Sequence, residues 1–284
     1  MRRILIAGCG DLGSALGRVL AARGEQVFGL RRDASRLPAA ITPVAGDLAH
    51  PQGLRAVPRE IDVLVYTASA DAFEDDAYRR AYVDGVGNVL AAVNRERLQR
   101  IVFVSSTAVY GQDDGAWVDE DSATVPAGFA GCRLLEAEVL AAASGVRAVS
   151  VRCGGIYGAG RARLIEQVRA GAGCGDAPVL WTNRIHRDDC VGVLDHVLGL
   201  DAPQPVYVAV DCEPAPQCAV MDWLAARIGV AAPPRGGTIK RLRGSNKRCC
   251  NRRLLASGYR FIHPTYRAGY ACELDAMGLA SNEE

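Results

Sequence analysis

Glycines at positions 8, 10 and 13 in Gly8-Cys9-Gly10-Asp11-Leu12-Gly13 stand directly between the apolar run Ile4 to Ala7 and a segment of helical period, Gly13 to Arg23. Few local patterns restrict a chain more. In a strand, tight turn and helix, the first glycine permits the turn, the second lets a pyrophosphate approach the backbone, and the third lets the helix lie close on the strand. The unpaired amides of the first helical turn then face an anion, so the pattern predicts a dinucleotide at this turn.

Beyond it, short apolar runs alternate with longer helical patterns, as in a parallel sheet flanked by helices. The expected strands are Ile4 to Ala7, Gln26 to Leu30, Ile41 to Ala45, Val63 to Thr67, Ile101 to Ser105, Ala148 to Arg152 and Val206 to Val210. Gly13 to Arg23, Asp76 to Glu96 and Arg133 to Ala143 carry apolar residues three and four apart and are expected to lay one helical face on that sheet. The fold class is α/β, a Rossmann-type doubly wound parallel sheet with a smaller C-terminal substrate lobe. Past Val210 the rhythm changes to a Pro- and Cys-containing stretch, a helix near Val220 to Ile228 and an Arg/Lys-rich segment. The expected division is residues 1–153 and 184–210 for the nucleotide-binding domain, and 154–183 and 211–284 for the lobe.

Charge narrows the partners. Lys plus Arg number 33 against 32 Asp plus Glu, so no global field holds nucleic acid or a membrane, and the expected ligand is a small molecule. Glycines and Asp11 break the apolar start too soon for a signal peptide, and no later run is long enough to span a bilayer, which predicts a cytoplasmic protein. The ten cysteines have no C-x-x-C spacing and there are only four histidines; free buried thiols, with Cys249-Cys250 as packing residues, and no metal are expected.

The second expected strand ends in Arg31-Arg32, where an acidic residue would bind the ribose hydroxyls of NAD. Guanidinium groups suit a 2′-phosphate, so NADP(H) is favoured over NAD(H), with Asp33 as the alternative ribose partner. Gly46-Asp47-Leu48 follows the third strand, placed to contact adenine through Asp47 and Leu48.

At Val102-Phe103-Val104-Ser105-Ser106-Thr107-Ala108-Val109-Tyr110-Gly111 the sequence resembles the extended short-chain dehydrogenase/reductases, the NAD-dependent epimerase/dehydratase family. Gly46-Asp47-Leu48, Val63 to Thr67, Arg152-Cys153-Gly154-Gly155-Ile156-Tyr157-Gly158, Ile185-His186-Arg187-Asp188-Asp189 and Asn246-Lys247-Arg248 through Pro264 follow in the family's order. The resemblance implies cofactor contacts from Gly8, Gly10, Asp11, Leu12, Gly13, Arg31, Arg32, Asp47, Leu48, Thr67, Ala68, Ser69, Ser105, Arg133 and Cys153. It also implies a homodimer through the helices around Asp76 to Glu96 and Arg133 to Ala143.

In that family a Ser or Thr and a Tyr-x-x-x-Lys helix carry the chemistry, the Tyr exchanging a proton with the substrate and the Lys holding the nicotinamide ribose. The hydroxyl position falls on Ser106, with Thr107 adjacent. Phe129 stands in the Tyr slot and Arg133 in the Lys slot, while Tyr82 stands where the family has an asparagine. The set resembles the family's atypical subgroup. A phenyl ring carries no exchangeable proton, so the donor is open among Tyr82, Tyr110, Tyr157, Cys132, water and the substrate. Thr107-Ala108 in place of an Asp-Glu pair disfavours sugar-nucleotide dehydration.

The expected catalytic set is therefore Ser106, Thr107, Arg133 and Tyr82. Tyr110, Phe129, Arg161 and Arg248 are expected at the substrate, with Arg235, Lys240, Arg241, Arg243, Lys247, Arg252 and Arg253 as further cations for an anionic or nucleotide-sugar-like group. His186 with Asp188 and Asp189 reads as a structural turn in which Asp189 caps a helix, and Asp119-Glu120-Asp121 as a solvated loop. Three functions fit: an NAD(P)-dependent oxidoreductase or epimerase-like enzyme, a silent NADP(H)-binding sensor or scaffold, and a non-redox isomerase or lyase.

Overall fold

The structure, a computed structural model, describes residues 1–236 and 246–279. Seven strands form one sheet: β1 (Arg3–Ala7), β2 (Gln26–Arg31), β3 (Thr42–Ala45), β4 (Val63–Tyr66), β5 (Arg100–Ser106), β6 (Arg147–Cys153) and β7 (Val206–Ala209). Their order is β7-β6-β5-β4-β1-β2-β3, so the chain starts in the middle and builds outward twice. The ladders from β3 to β5 are parallel. At the other edge the Ser150 and Gly154 amides donate to the Pro205 and Ala209 carbonyls, the same four-residue step on both strands, which makes β6 and β7 parallel as well. Every expected strand joins this doubly wound sheet.

Central strands read as unbroken apolar runs because both faces are covered; Ile4, Leu5, Ile6, Leu64 and Val65 are fully buried. The covering helices are α1 (Asp11–Ala22), α2 (residues 75–92) and α3 (Phe129–Ala142). Helix α2 is π-wound over Arg79–Asp84. The cause is a side chain from the sheet: the buried Tyr66 hydroxyl donates to the Ala81 carbonyl at 2.5 Å, and a Cβ on Gly85 would lie 2.1 Å from the Tyr66 hydroxyl oxygen. A side-chain donor inserted into the ladder widens the helix there.

The chain divides into two compact units. The first comprises Met1–Val109, Thr124–Arg152 and Val191–Tyr207; the second comprises Tyr110–Ala123, Cys153–Cys190 and the described residues from Val208 on. Helix α5 (Arg187–Gly199) runs from one into the other. The second unit also holds α4 (Arg163–Arg169), α6 (Gln217–Ile228), α7 (Arg252–Ala256) and α8 (Tyr266–Ala276). Its core packs Tyr157, Ile165, Val220, Leu224, Tyr266 and Leu274 together.

Three expectations are corrected here. Cys174 and Cys218, 44 residues apart, form a disulfide, because the first turn of α6 meets the loop after α4 with Cα atoms 5.6 Å apart; the other eight cysteines are outside disulfides. Asp189 does not cap a helix end: it lies inside α5, fully buried, and accepts from the Tyr259 hydroxyl and the Ile262 and His263 amides at 3.0, 2.7 and 2.9 Å. Within the segment 119–121, the Glu120 side chain is buried rather than solvated, and its carboxylate accepts the Val208 amide at 2.8 Å. No helix among the described residues is long and apolar enough to cross a membrane.

Candidate functional site

The first unit gathers the glycine loop and the C-terminal ends of β1, β2, β4 and β5. Neighbours β1 and β4 lead their connections to opposite sides, and ligands of doubly wound sheets bind in the crevice opened at such a point. Gly8 has φ +77°, and a Cβ there would fall 2.4 Å from the Ala68 Cα, so only glycine fits. Thr67 fixes the same turn, its hydroxyl donating to the Gly8 carbonyl at 3.0 Å. A Cβ on Gly13 would press the Thr67 hydroxyl at 2.8 Å and Ile6 at 2.9 Å, the close helix-on-strand packing that the spacing predicts. Gly10 differs: a Cβ there meets nothing nearer than the Gly8 carbonyl at 3.8 Å. Its open side, together with the amides at the start of α1 (Asp11, Leu12, Gly13), suits the pyrophosphate of a dinucleotide.

Around the loop, Arg31 leans toward the turn, with Nη1 3.4 Å from the Cys9 carbonyl. Arg32 instead makes an exposed bidentate pair with Asp71 at 2.8 and 2.7 Å. Asp47 turns its own loop by accepting the Ala49 amide, and the Leu48 carbonyl receives Asn88 Nδ2 at 2.9 Å. Asn88, a polar residue on an otherwise apolar stretch of α2, thereby pins the Gly46-Asp47-Leu48 loop; its position on the helix was the one available signal. Ser69 is exposed beyond the half-buried Ala68.

At the end of β5, Ser105 is buried with its hydroxyl unpartnered. Ser106 is half-buried, and its Oγ accepts the Ala108 amide at 3.1 Å. That leaves the Ser106 proton free to donate. Thr107 follows in a short 3-10 turn, Thr107–Val109. Helix α3 lies tightly on this turn, since a Cβ on Gly131 would be 2.2 Å from the Ala108 carbonyl. Phe129 and Arg133, one turn apart on α3, are thereby held beside the Ser106 segment. Phe129 is packed against Phe73 and Tyr78 with ring centroids 4.9 and 5.4 Å away. Arg133 is not a free cation: Nε and Nη2 reach Asp75 at 2.7 and 3.0 Å, and Nη1 reaches Glu136 at 2.8 Å. These carboxylates hold its pKa above the ordinary guanidinium value. Tyr82 is buried in the π segment, edge-on to Phe103.

A model of the NAD-dependent epimerase/dehydratase family matches residues 4–202. The chain belongs to that family. Membership accounts for the glycine loop and the strand order together. Among solved structures, one from Methylobacillus flagellatus assigned to the NAD-dependent epimerases/dehydratases is 38% identical, covers 98% of this chain and 99% of its own, and superposes with a TM-score of 0.82. Among characterised relatives, a 2-alkyl-3-oxoalkanoate reductase of Stenotrophomonas maltophilia is 27% identical over 81% of this chain and 76% of its own length. A 3-diazoavenalumate denitrifying reductase of a Streptomyces species is 28% identical over 95% of this chain and all of its own.

The remaining expected residues lie in the second unit. Tyr110 is 1% exposed, so its ring is a core element rather than a surface for a ligand; its carbonyl accepts Lys247 Nζ at 3.1 Å. Lys247 is itself buried, and burial lowers its pKa. The Cys153 thiol is buried 3.6 Å from that of Cys190, which turns it away from any ligand. Arg161 is exposed ahead of α4. Arg248 is sandwiched between Trp117 and Trp181 at 5.1 and 4.8 Å, and Nε donates to the Gly115 carbonyl. Two other cations of the basic stretch are neutralised, Arg235 by Asp222 and Arg253 by Asp121, whereas Arg252 directs Nε to the Cys250 sulfur at 3.2 Å. Lys240, Arg241 and Arg243 lie outside the described residues.

His186 and Asp188 meet His263, which sequence spacing did not connect to them, with donor atoms within 4.8 Å of one another. Both His186 nitrogens are engaged, Nδ1 by the Asp188 amide at 3.2 Å and Nε2 by Glu273 at 3.0 Å. The arrangement caps α5 and ties it to α8.

Proposed function

We propose that the chain is an NADP(H)-dependent reductase acting on the carbonyl of a small substrate. The observation that carries this reading is the Gly8–Gly13 loop, whose Gly10 side is open while Gly8 and Gly13 are packed shut. Backbone amides of the loop and α1 hold the pyrophosphate. Arg31, leaning over the loop, takes the 2′-phosphate, with Arg32 in a lesser role because Asp71 already holds it. The bound dinucleotide supplies hydride chemistry.

Ser106 then acts on the substrate oxygen. One of its lone pairs is used by the Ala108 amide, and its O–H remains available as a donor to polarise a carbonyl. Gly131 and Gly8 keep the turn and the loop in register with β5 and β1. Both relatives described above are reductases, and the 2-alkyl-3-oxoalkanoate reductase, named for an oxo substrate, favours carbonyl reduction over the other reactions of the family.

Parallel fluorescence titrations with NADPH and NADH test the reading. NADPH is expected to bind more tightly, and Arg31→Ala to weaken NADPH by about tenfold or more while sparing NADH. Arg32→Ala is expected to cost less than Arg31→Ala. Equal loss for both dinucleotides removes the 2′-phosphate assignment, and no binding of either removes the reductase.

A further inference from the structure

Reduction of a carbonyl needs a proton for oxygen as well as a hydride for carbon, and Phe129 offers none. Of the phenols first considered, Tyr110 and Tyr157 are core residues of the second unit, and Tyr82 is buried inside α2. One turn before Tyr82 stands Tyr78, with the i, i+4 spacing that puts both on one helical face.

Tyr78 meets Phe129 edge to face, with centroids 5.4 Å apart and planes at 88°, and meets Phe73 the same way at 5.7 Å. Its ring lies 5.3 Å from Tyr82. In the corner formed by Phe73, Tyr78 and Phe129, the one polar side-chain atom is the Tyr78 hydroxyl oxygen. The ring is half-buried, and the hydroxyl is neither bonded to a described residue nor sealed from solvent.

Three contacts hold this corner against the Ser106 end of β5. Arg133 clamps α3 to Asp75, three residues before Tyr78. Gly131 presses α3 on the Ala108 carbonyl, two residues past Ser106. Tyr82 packs edge-on at 6.4 Å on Phe103, three residues before Ser106. All of these residues belong to the first unit.

We propose that the Tyr78 hydroxyl is the proton donor to the substrate oxygen, moved from α3, where Phe129 stands, to the facing turn of α2. The proposal rests on the reductase reading. The carbonyl carbon accepts a hydride, supplied by the reduced dinucleotide; the π pair of the C=O bond moves onto oxygen. That oxygen takes the proton as the Tyr78 O–H bond breaks, leaving a phenolate that solvent reprotonates. Ser106 steadies the same oxygen by a hydrogen bond and keeps its own proton.

Tyr78→Phe retains the ring and removes only the hydroxyl. With NADPH and two 3-oxoester probes, ethyl acetoacetate and ethyl 2-methylacetoacetate, kcat is expected to fall about 100-fold or more. KM and NADPH affinity should stay within about twofold. A second readout needs no turnover: with NADP+ and ethyl acetoacetate labelled with 13C at the ketone, the bound carbonyl resonance should move downfield in the native protein and return toward the free position in Tyr78→Phe. Unchanged kcat, an unchanged carbonyl shift, or a larger kcat loss in Tyr82→Phe overturns the proposal alone. A native protein that binds NADPH yet reduces neither probe overturns the reductase reading and this proposal with it.

Discussion

Asp75 and Arg133 join the first turn of α2 to the second turn of α3 through two parallel hydrogen bonds of 2.7 and 3.0 Å. Both side chains are partly exposed, so solvent and salt weaken the pair. Asp75→Asn should therefore lower the thermal midpoint slightly in dilute buffer, and the gap from the native protein should close in 1 M salt. A gap that persists at high salt would mean the pair acts through packing.

Gly131→Ala should cost about 1–3 kcal/mol, since the new methyl would fall 2.2 Å from the Ala108 carbonyl and 2.6 Å from Pro126. Urea unfolding measures it. The same displacement shifts α3 from the Ser106 turn, so activity should fall more than the residual folded fraction explains.

Arg152 and Glu138 form a buried pair, with Nη2 2.7 Å from the carboxylate. Arg152→Ala leaves that carboxylate buried and unpaired, at an expected cost of about 3–5 kcal/mol. Replacing both, Arg152→Met with Glu138→Leu, should restore most of the loss. If the double variant is as unstable as the single one, the pair's hydrogen bonds contribute more than its desolvation costs.

Asp211 sets a pH dependence. Burial pushes its carboxyl from 3.8 up to about 7, against the opposing pull of Arg184. Between those values the folded state binds a proton that the unfolded chain does not, so stability from this group is greatest at low pH and declines toward pH 7. The slope is at most about 1.4 kcal/mol per pH unit. Asp211→Asn should flatten urea-unfolding free energy over pH 5 to 7; an unchanged slope would place the titration elsewhere.

The sheet was legible because strands covered on both faces must be apolar throughout, and the glycine loop because its backbone admits no other residue at Gly8. These are local constraints, and a linear sequence displays them directly. Ser106 and Phe129 were placed by the family resemblance instead, as the residues in its hydroxyl and Tyr slots.

Contacts between distant segments were not legible. Nothing near Arg133 or Arg32 announces that Asp75 and Asp71 hold them, and nothing near Cys174 announces Cys218, because partner choice is settled where helices cross. Tyr110 read as a ligand contact and proved to be core, since a strand-end tyrosine faces in or out according to what the next segment brings against it. The sequence by itself determined the doubly wound sheet and its nucleotide loop through periodicity and backbone sterics. Tertiary structure alone decided which cations stay free, which thiols meet, and which phenol stands beside Phe129, because those outcomes depend on side chains that only packing brings together.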